Sequence, residues 1–128
     1  MYAMFETAET FNQDIGSWNV SSVENMNQMF KVATLFNQDL SSWDVSGVEN
    51  MNQMFKDAIS FNQNIGSWNV SGVENMNQMF KDATLFNQDL SSWNVNGLTG
   101  ANSWDTISGD VFAGSGMESY VDNWPKFV

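Results

Sequence analysis

Side chains that could bind cations recur at a constant interval in this sequence. Asp14, Asp39, Asn64 and Asp89 occupy the same place in four successive units, so each unit carries one carboxylate or amide at this position. Carboxylate and amide oxygens are the ligands that Ca²⁺ prefers. The interval, however, lacks the dense alternation of calcium-binding nonapeptide repeats and of the EF-hand loop. We interpret the column as a solvated acidic edge, and the sequence predicts no metal site and no cofactor.

The residue types also argue against catalysis. The chain contains no histidine and no cysteine, so the most common general base and the thiolate nucleophile are missing. No serine lies at a recognisable spacing from a base. The carboxylates form repeated columns, whereas an active site needs one asymmetric cluster. We predict that the protein is not an enzyme.

Charge narrows the classes of partner. Fifteen acidic residues against four lysines give a net charge of −11, which repels phosphate backbones and anionic lipid headgroups. No apolar run approaches the roughly 20 residues of a membrane span. The first residues have neither a basic region nor a cleavage-like site, so no signal peptide is predicted. We expect no nucleic-acid binding and no membrane insertion.

The polar columns belong to a tandem repeat. The stretch from 21 to 43 returns almost unchanged from 46 to 68 and from 71 to 93. A fixed period of this length is typical of arrays in which each unit buries its apolar face against its neighbours. The predicted units are repeat 1 (1–25), repeat 2 (26–50), repeat 3 (51–75) and repeat 4 (76–100).

The sequence from 101 to 128 breaks the repeat pattern and carries the only proline. Terminal units of arrays are usually atypical because they cover an open core. We predict that 101–128 is a degenerate last coil acting as a C-terminal cap. Its predicted apolar contributors are Trp104, Val111, Phe112, Tyr120, Val121, Trp124 and Phe127.

Each repeat shows two apolar periodicities. Residues spaced by three or four predict one face of a short buried helix: Val23, Met26, Met29, Phe30 and Ala33. The pair Ser21 and Glu24 resembles a capping box ahead of that helix. The following Trp-x-Val motif predicts a very short strand with Trp and Val facing the core.

These features predict an α/β fold. The expected architecture is a right-handed, leucine-rich-repeat-like solenoid of about five coils, each with a short helix and a very short parallel strand. The Trp column, which comprises Trp18, Trp43, Trp68 and Trp93, is assigned to the core. An outward-facing column would instead form an aromatic strip of the kind that binds sugars.

Two asparagine columns have two possible roles. One contains Asn12, Asn37, Asn62 and Asn87; the other contains Asn25, Asn50 and Asn75. Their amides could form a ligand-binding ladder. We favour a structural role, in which they satisfy backbone groups at turns, because an unpaired buried polar group is costly.

A family resemblance adds to this reading. The blocks N-M-x-x-M-F, F-N-Q and W-x-V at one spacing resemble the tandem repeat of bacterial surface proteins, including mycoplasmal lipoproteins and Listeria-type proteins. That repeat is often grouped with BspA-like leucine-rich repeats. The resemblance covers residues 1–100 and implies a non-enzymatic solenoid at the cell surface or in a secreted protein, with adhesion or partner recognition as its role.

The leading hypothesis is a non-catalytic module that binds a protein or a surface glycan. Its predicted binding surface is the exposed polar positions Asn19, Asp44, Asn69 and Asn94, with Gln13, Gln38, Gln63 and Gln88 as second choices. Two alternatives remain open. The array could be a structural spacer, or it could self-associate end to end through the exposed first coil.

Overall fold

The computed structural model describes residues 1–125, except for the side chain of Asp105, so the predicted cap residue Phe127 lies outside the described part of the chain. Within that part, regular secondary structure is confined to 3₁₀ turns at Gly100–Asn102 and Val121–Asn123 and to helix α1 (Trp104–Val111). The prediction of an α/β solenoid with a helix and a strand in every coil is therefore wrong. The repeats consist of consecutive tight turns.

Backbone hydrogen bonds pair residues 24 positions apart, and most of these bonds join one repeat to the next. The amides of Met26 and Gln28 donate to the carbonyls of Asn50 and Asn52, over 2.8 and 2.9 Å, and those of Phe30 and Val32 continue the series in the same register. The residues between them close local turns; for example, the Met29 amide donates to the Met26 carbonyl. Along the chain, amides therefore donate in turn to a carbonyl of the neighbouring repeat and to a carbonyl of the same turn. This pattern satisfies the backbone amides without a helix.

Backbone torsion explains why the predicted helix does not form. Gln28 and Val32 have φ of 59° and 61°, and the equivalent residues of repeats 3 and 4 also have positive φ. A right-handed helix requires negative φ at every position. The capping box is absent as well, because the Ser21 hydroxyl donates to Asn19 Oδ1 at 2.6 Å. The spacing of the apolar residues correctly predicts burial here, but not the hydrogen-bonding pattern.

The predicted Trp-x-Val strand is also absent from the described residues. Trp43 and Val45 are buried as expected, at 4% and 1% exposure, yet no ladder joins them to the next motif. Parallel pairing occurs elsewhere, as isolated bridges from Asn25 to Asn50 and from Asn50 to Asn75. The strand-like contact between repeats therefore lies at the Glu-Asn dipeptide.

Stacked aromatic rings form the core. Phe30, Phe55 and Phe80 stack at centroid distances of 5.3 and 5.6 Å, and a second phenylalanine column runs beside them. Within each repeat the two columns also touch, as in the 4.1 Å contact of Phe55 with Phe61. Methionines such as Met54 are fully buried. In repeats 2 to 4 the Phe and Met stripes are core, as predicted, whereas Met4 of repeat 1 is 50% exposed.

The tryptophans form a third column. Trp43 and Trp68, and Trp68 and Trp93, stack at 6.5 Å with rings 4° from parallel. Each of their indole N–H groups donates at 3.0 Å to a carbonyl of the preceding repeat, as Trp68 does to Leu40. Trp18, in the first repeat, is 39% exposed. The buried members of the column, Trp43, Trp68 and Trp93, therefore face the core. They do not form an aromatic sugar-binding strip.

The C-terminal segment, defined here as residues 101–125, packs against repeat 4 in a different register. The Phe55 amide of repeat 3 donates to the Met79 carbonyl, and the same register would pair Phe80 with the carbonyl of Trp104. The Phe80 amide instead donates to Val111, further along the chain. Phe112 extends the phenylalanine column, 5.8 Å from Phe80. The stretch from the expected partner, Trp104, to the actual partner, Val111, forms helix α1. The helix therefore lies where the repeat sequence is lost.

Candidate functional site

The Glu-Asn dipeptides align in space. The Glu49 amide donates to the Glu24 carbonyl and the Glu74 amide to the Glu49 carbonyl, both over 2.8 Å. In the same register, Asn25, Asn50 and Asn75 form the parallel bridges. Neighbouring chains in parallel pairing lie about 4.8 Å apart. The three glutamates therefore follow one another in a row across repeats 1, 2 and 3.

These dipeptides line a groove of about 420 Å³. We name it the Glu-Asn groove; its lining residues are Glu24, Asn25, Glu49, Asn50, Glu74, Asn75 and Asn102. Asn102 comes from the 3₁₀ turn of the C-terminal segment. The groove thus runs along the array and ends where the regular repeats meet that segment.

The polar groups of the groove are available for recognition. The three glutamates are exposed, and none of their carboxylates has a hydrogen-bond or ion-pair partner within residues 1–125. Each groove asparagine of repeats 1–3 accepts, through its Oδ1, the amide of the second residue after it, as Asn50 does from Asn52. Their NH₂ groups have no acceptor in the described part of the chain. The groove can therefore attract a cationic group and form hydrogen bonds with it.

The predicted first-choice surface lies at exposed turns. Asn19, Asp44 and Asn69 each accept two hydrogen bonds on Oδ1, from the backbone amide and the hydroxyl of the second residue after them, a serine in each case. Asn94 accepts the amide of Asn96. These side chains therefore stabilise Asx turns. Their second oxygen or NH₂ group is left for a partner, and their role in binding stays a prediction.

The second-choice glutamines connect neighbouring repeats. Gln38 Nε2 donates to the carbonyl oxygen and Oδ1 of Asn12, and Gln63 and Gln88 repeat this contact one and two units later. Asn12 Oδ1 also accepts the amide of Asn37, at 2.9 Å. This asparagine column satisfies backbone amides, in line with its predicted structural role. Gln13 is exposed and stands at the start of the series.

Two carboxylates on the turn surface have altered acidity. The amide and hydroxyl of Ser41 lower the pKa of Asp39, with the backbone amide as the larger cause. The hydroxyl and then the amide of Ser46 lower the pKa of Asp44. Hydrogen bonds to a carboxylate stabilise its charged form. Both side chains therefore stay ionised at lower pH than an ordinary aspartate.

The acidic column considered for Ca²⁺ is also engaged in turns. Asp14, Asp39 and Asn64 accept nearby backbone amides, over 2.8–3.0 Å. Asp89 accepts the hydroxyl and the amide of Ser91. Among the side chains that the structure describes, no three of the His, Cys, Asp or Glu types converge as a metal site would require.

The Glu-Asn groove was not part of the surface predicted from sequence. Its signal is the Val-Glu-Asn tripeptide, present in repeats 1, 2 and 3 and lost in repeat 4, where Leu98 and Thr99 follow Gly97. Their spacing from the preceding serine predicts a capping box instead, as for Ser21 and Glu24. Without the helix, the same residues line a groove.

Comparison with known proteins gives one assignment. A family model described as "Mycoplasma protein of unknown function, DUF285" matches residues 1–111. No curated protein and no solved structure matches the chain. In the described part of the chain, the only α-helix has eight residues, far too few to cross a bilayer. Because the match extends over all four repeats and helix α1, the chain belongs to the Mycoplasma DUF285 family.

Proposed function

We propose that this chain is a non-catalytic recognition module of a bacterial surface protein and that it binds a basic segment of a partner protein in the Glu-Asn groove. The observation that carries the proposal is the row of carboxylates, Glu24, Glu49 and Glu74, that have no partner among the described residues and lie in one groove. Membership of a Mycoplasma family and resemblance to mycoplasmal surface repeats support the surface location.

Charge favours a cationic partner over a neutral glycan. Among the described residues no lysine lines the groove, and the chain as a whole carries a charge of −11. The residues that line it also include no aromatic side chain on which a sugar ring would stack. Lysine or arginine side chains of an extended segment can meet successive carboxylates, and the asparagine NH₂ groups can donate to its carbonyls.

A matched pair of charge variants tests the proposal. The groove variant carries Glu24→Gln, Glu49→Gln and Glu74→Gln; the control carries Glu9→Gln, Asp57→Asn and Asp82→Asn, which removes three charges outside the groove. The probe is a dye-labelled decapeptide of alternating lysine and threonine, followed by fluorescence anisotropy. Three exposed ion pairs at roughly 0.2–1 kcal/mol each correspond to about a tenfold loss of affinity in the groove variant.

The outcomes separate local recognition from bulk attraction. The control should bind as the wild type does, and a peptide with glutamine at every lysine position should not bind. Equal losses in the two variants would show that net charge alone attracts the peptide, which would refute the groove. No binding by the wild type would favour the spacer hypothesis.

A further inference from the structure

Asparagine is followed directly by glycine at one place in the chain, Asn96-Gly97 in repeat 4. In repeats 2 and 3 a serine precedes the equivalent glycine. The Leu98 amide donates to the Val95 carbonyl over 3.1 Å, so the two residues form the tip of a tight turn. Asn96 is exposed at this tip. Repeat 4 therefore presents to solvent an asparagine-glycine pair that the other repeats lack.

The Asn96 side chain lacks the contact that its serine counterparts make. Ser46 and Ser71 each donate their hydroxyl to Oδ1 of the residue two positions before them, over 2.6 Å. In repeat 4 the corresponding residue, Asn94, accepts the backbone amide of Asn96 over 2.9 Å. The carboxamide of Asn96 has no hydrogen-bond partner among the described residues. No contact therefore holds this side chain away from the backbone that follows it.

The backbone amide of Gly97 is equally free. Within residues 1–125 its N–H group has no acceptor, and glycine has no side chain to shield the nitrogen. The pair Asn102-Ser103 is a useful contrast, because the Ser103 amide donates to the Gly100 carbonyl over 3.1 Å. Asn102 is also only partly exposed. Of these two pairs, only Asn96-Gly97 combines an exposed, free carboxamide with a free amide.

We propose that Asn96 is a site of spontaneous deamidation, in which the backbone nitrogen of Gly97 attacks the side-chain carbonyl carbon of Asn96. The nitrogen loses its proton to solvent base and forms a bond to Cγ, while the bond from Cγ to Nδ2 breaks and ammonia leaves. Water then opens the resulting cyclic imide at either carbonyl, which gives aspartate or isoaspartate at position 96. The net reaction consumes one water and releases one ammonia.

The packing of Gly97 gives the two products different consequences. A Cβ on Gly97 would lie 2.7 Å from the Ser71 carbonyl oxygen and 2.8 Å from that of Val73, so the backbone has little room to move here. Aspartate keeps the length of the backbone and adds a negative charge. Isoaspartate places an extra methylene in the backbone between residues 96 and 97. We expect only the isoaspartate product to distort the turn.

This turn leads directly to the end of the Glu-Asn groove. The chain continues from Leu98 through Thr99 into the 3₁₀ turn Gly100–Asn102, and Asn102 lines the groove. A displaced backbone at position 97 therefore moves the Asn102 side chain relative to the row of glutamates. This consequence rests on the proposed function, whereas the deamidation itself does not.

The reaction is tested on the folded protein, incubated at physiological temperature and mildly alkaline pH. Peptide mapping by mass spectrometry measures conversion at each asparagine, and electron-transfer fragmentation distinguishes isoaspartate from aspartate. Asn96 should convert at least about tenfold faster than Asn102, because only Asn96 precedes an unshielded and unpaired backbone nitrogen. The rate should rise with pH, since the Gly97 nitrogen must lose a proton. Equal rates at the two asparagines would overturn the inference.

Two substitutions test whether the turn itself permits the reaction. Asn96→Ser restores the residue of repeats 2 and 3 and should abolish conversion at this position. Ser46→Asn creates the same pair in repeat 2, where the Gly47 amide also has no acceptor in the described structure, and should add a second site that converts at a similar rate. Failure of Ser46→Asn to convert would show that the turn of the repeats prevents ring closure, which would count against the proposal.

The consequence for the groove is tested with the lysine-threonine decapeptide. The isoaspartate form, separated by ion exchange, should bind about threefold more weakly than fresh protein, the effect of losing one hydrogen bond at the surface. Asn96→Asp reproduces the aspartate product and should bind as the wild type does. Unchanged affinity of the isoaspartate form would refute the link to the groove. If fresh protein does not bind the peptide, the proposed function fails, while the mass measurements still decide the deamidation site.

Discussion

The internal repeats and the C-terminal segment satisfy their backbone in opposite ways. In repeats 2 and 3, alternate amides donate to the neighbouring repeat, and neither repeat contains a helix. In the C-terminal segment, helix α1 (Trp104–Val111) satisfies its amides locally. Where a nearly identical neighbour lies in register, bonds between repeats replace local ones; where the repeat sequence is lost, the helix forms.

Helix α1 and the turns of the repeats differ in how closely they approach a neighbouring backbone; elsewhere in the C-terminal segment, a Cβ on Gly116 would come within 2.6 Å of the Phe86 carbonyl oxygen, as closely as in the repeats. Gly66 lies so near repeat 4 that a Cβ would come within 2.6 Å of the Asp89 carbonyl oxygen. A Cβ on Gly109, inside helix α1, would meet no atom of the described structure within 4 Å. The repeats are therefore tightly stacked at their turns, while α1 leaves open space beside Gly109.

A pair of glycine substitutions gives the largest expected contrast. Gly66→Ala should lower the free energy of unfolding by about 1–3 kcal/mol, because the carbonyl of Asp89 belongs to the backbone and has to shift. Gly109→Ala should raise it by about 0.5–1 kcal/mol, because alanine favours the helix. Urea denaturation measures both. A neutral Gly66→Ala would contradict the tight stacking of the repeats.

Tryptophan substitutions compare how much stability each region loses when an indole hydrogen bond is removed. Trp68 is 4% exposed and donates to Leu40, whereas the half-buried Trp124 donates to Met117 at 2.8 Å. Trp68→Phe should cost about 2–3 kcal/mol and Trp124→Phe about 1 kcal/mol, because an acceptor left unpaired costs more when it is buried. Trp18→Phe is the control, since the indole N–H of Trp18 has no acceptor among the described residues. Equal losses at Trp68 and Trp124 would contradict this difference in burial.

A third substitution tests the torsions that exclude the helix from the repeats. Val32 has φ of +61°, and the equivalent residues Asp57 and Asp82 have φ of 58° and 59°. This conformation costs an ordinary residue about 1–2 kcal/mol, and asparagine tolerates it better than valine does. Val32→Asn should therefore raise the free energy of unfolding by about 1 kcal/mol, as measured in urea. Asp57→Asn is the control and should change it by less than about 0.5 kcal/mol. A loss of stability in Val32→Asn would contradict this torsion.

The smallest expected effect concerns the exposed turns of the repeats. Hydrogen bonds from Ser46, with the hydroxyl as the larger cause, lower the pKa of Asp44 in the folded protein. Their stabilising contribution is therefore present above the pKa of this side chain in the unfolded chain and is lost as pH falls through the lower folded pKa. Ser46→Ala should raise the pKa of Asp44 toward the ordinary range, as followed by carbon NMR of the carboxyl group. An unchanged pKa would contradict the assigned cause.

Burial was predictable from sequence to a large extent. The spacing of Met26, Met29, Phe30 and Ala33 identified residues that are all fully buried. Apolar spacing reports which side chains leave water, because transfer from water depends on the side chain. It does not report which backbone groups pair, and both a helix and a series of turns bury every third or fourth residue. The predicted helix was therefore wrong, although the predicted burial of these four residues is confirmed. The prediction was also wrong for Tyr120 and Val121 of the C-terminal segment, which are 53% and 59% exposed, and Val23 is only partly buried.

The candidate site was less predictable for a related reason. Glu24, Glu49 and Glu74 follow a serine at the spacing that is the local signature of a helix start. Their place in a groove depends on the pairing of Asn25 with Asn50 and of Asn50 with Asn75, which are contacts between equivalent positions of successive repeats. No local pattern carries that information, since it arises only when the repeats stack.

The sequence alone therefore determined the period of the repeats, the acidic charge and the identity of the core residues in repeats 2 to 4, because these follow from residue type and spacing. The tertiary structure decided that amides pair between repeats, that Gln28 and Val32 adopt positive φ, and that Met76 and Gln78 have no acceptor within residues 1–125. The physical reason is that a backbone amide has the same chemistry in every residue except proline, so its partner is chosen by the neighbour that packing brings within reach.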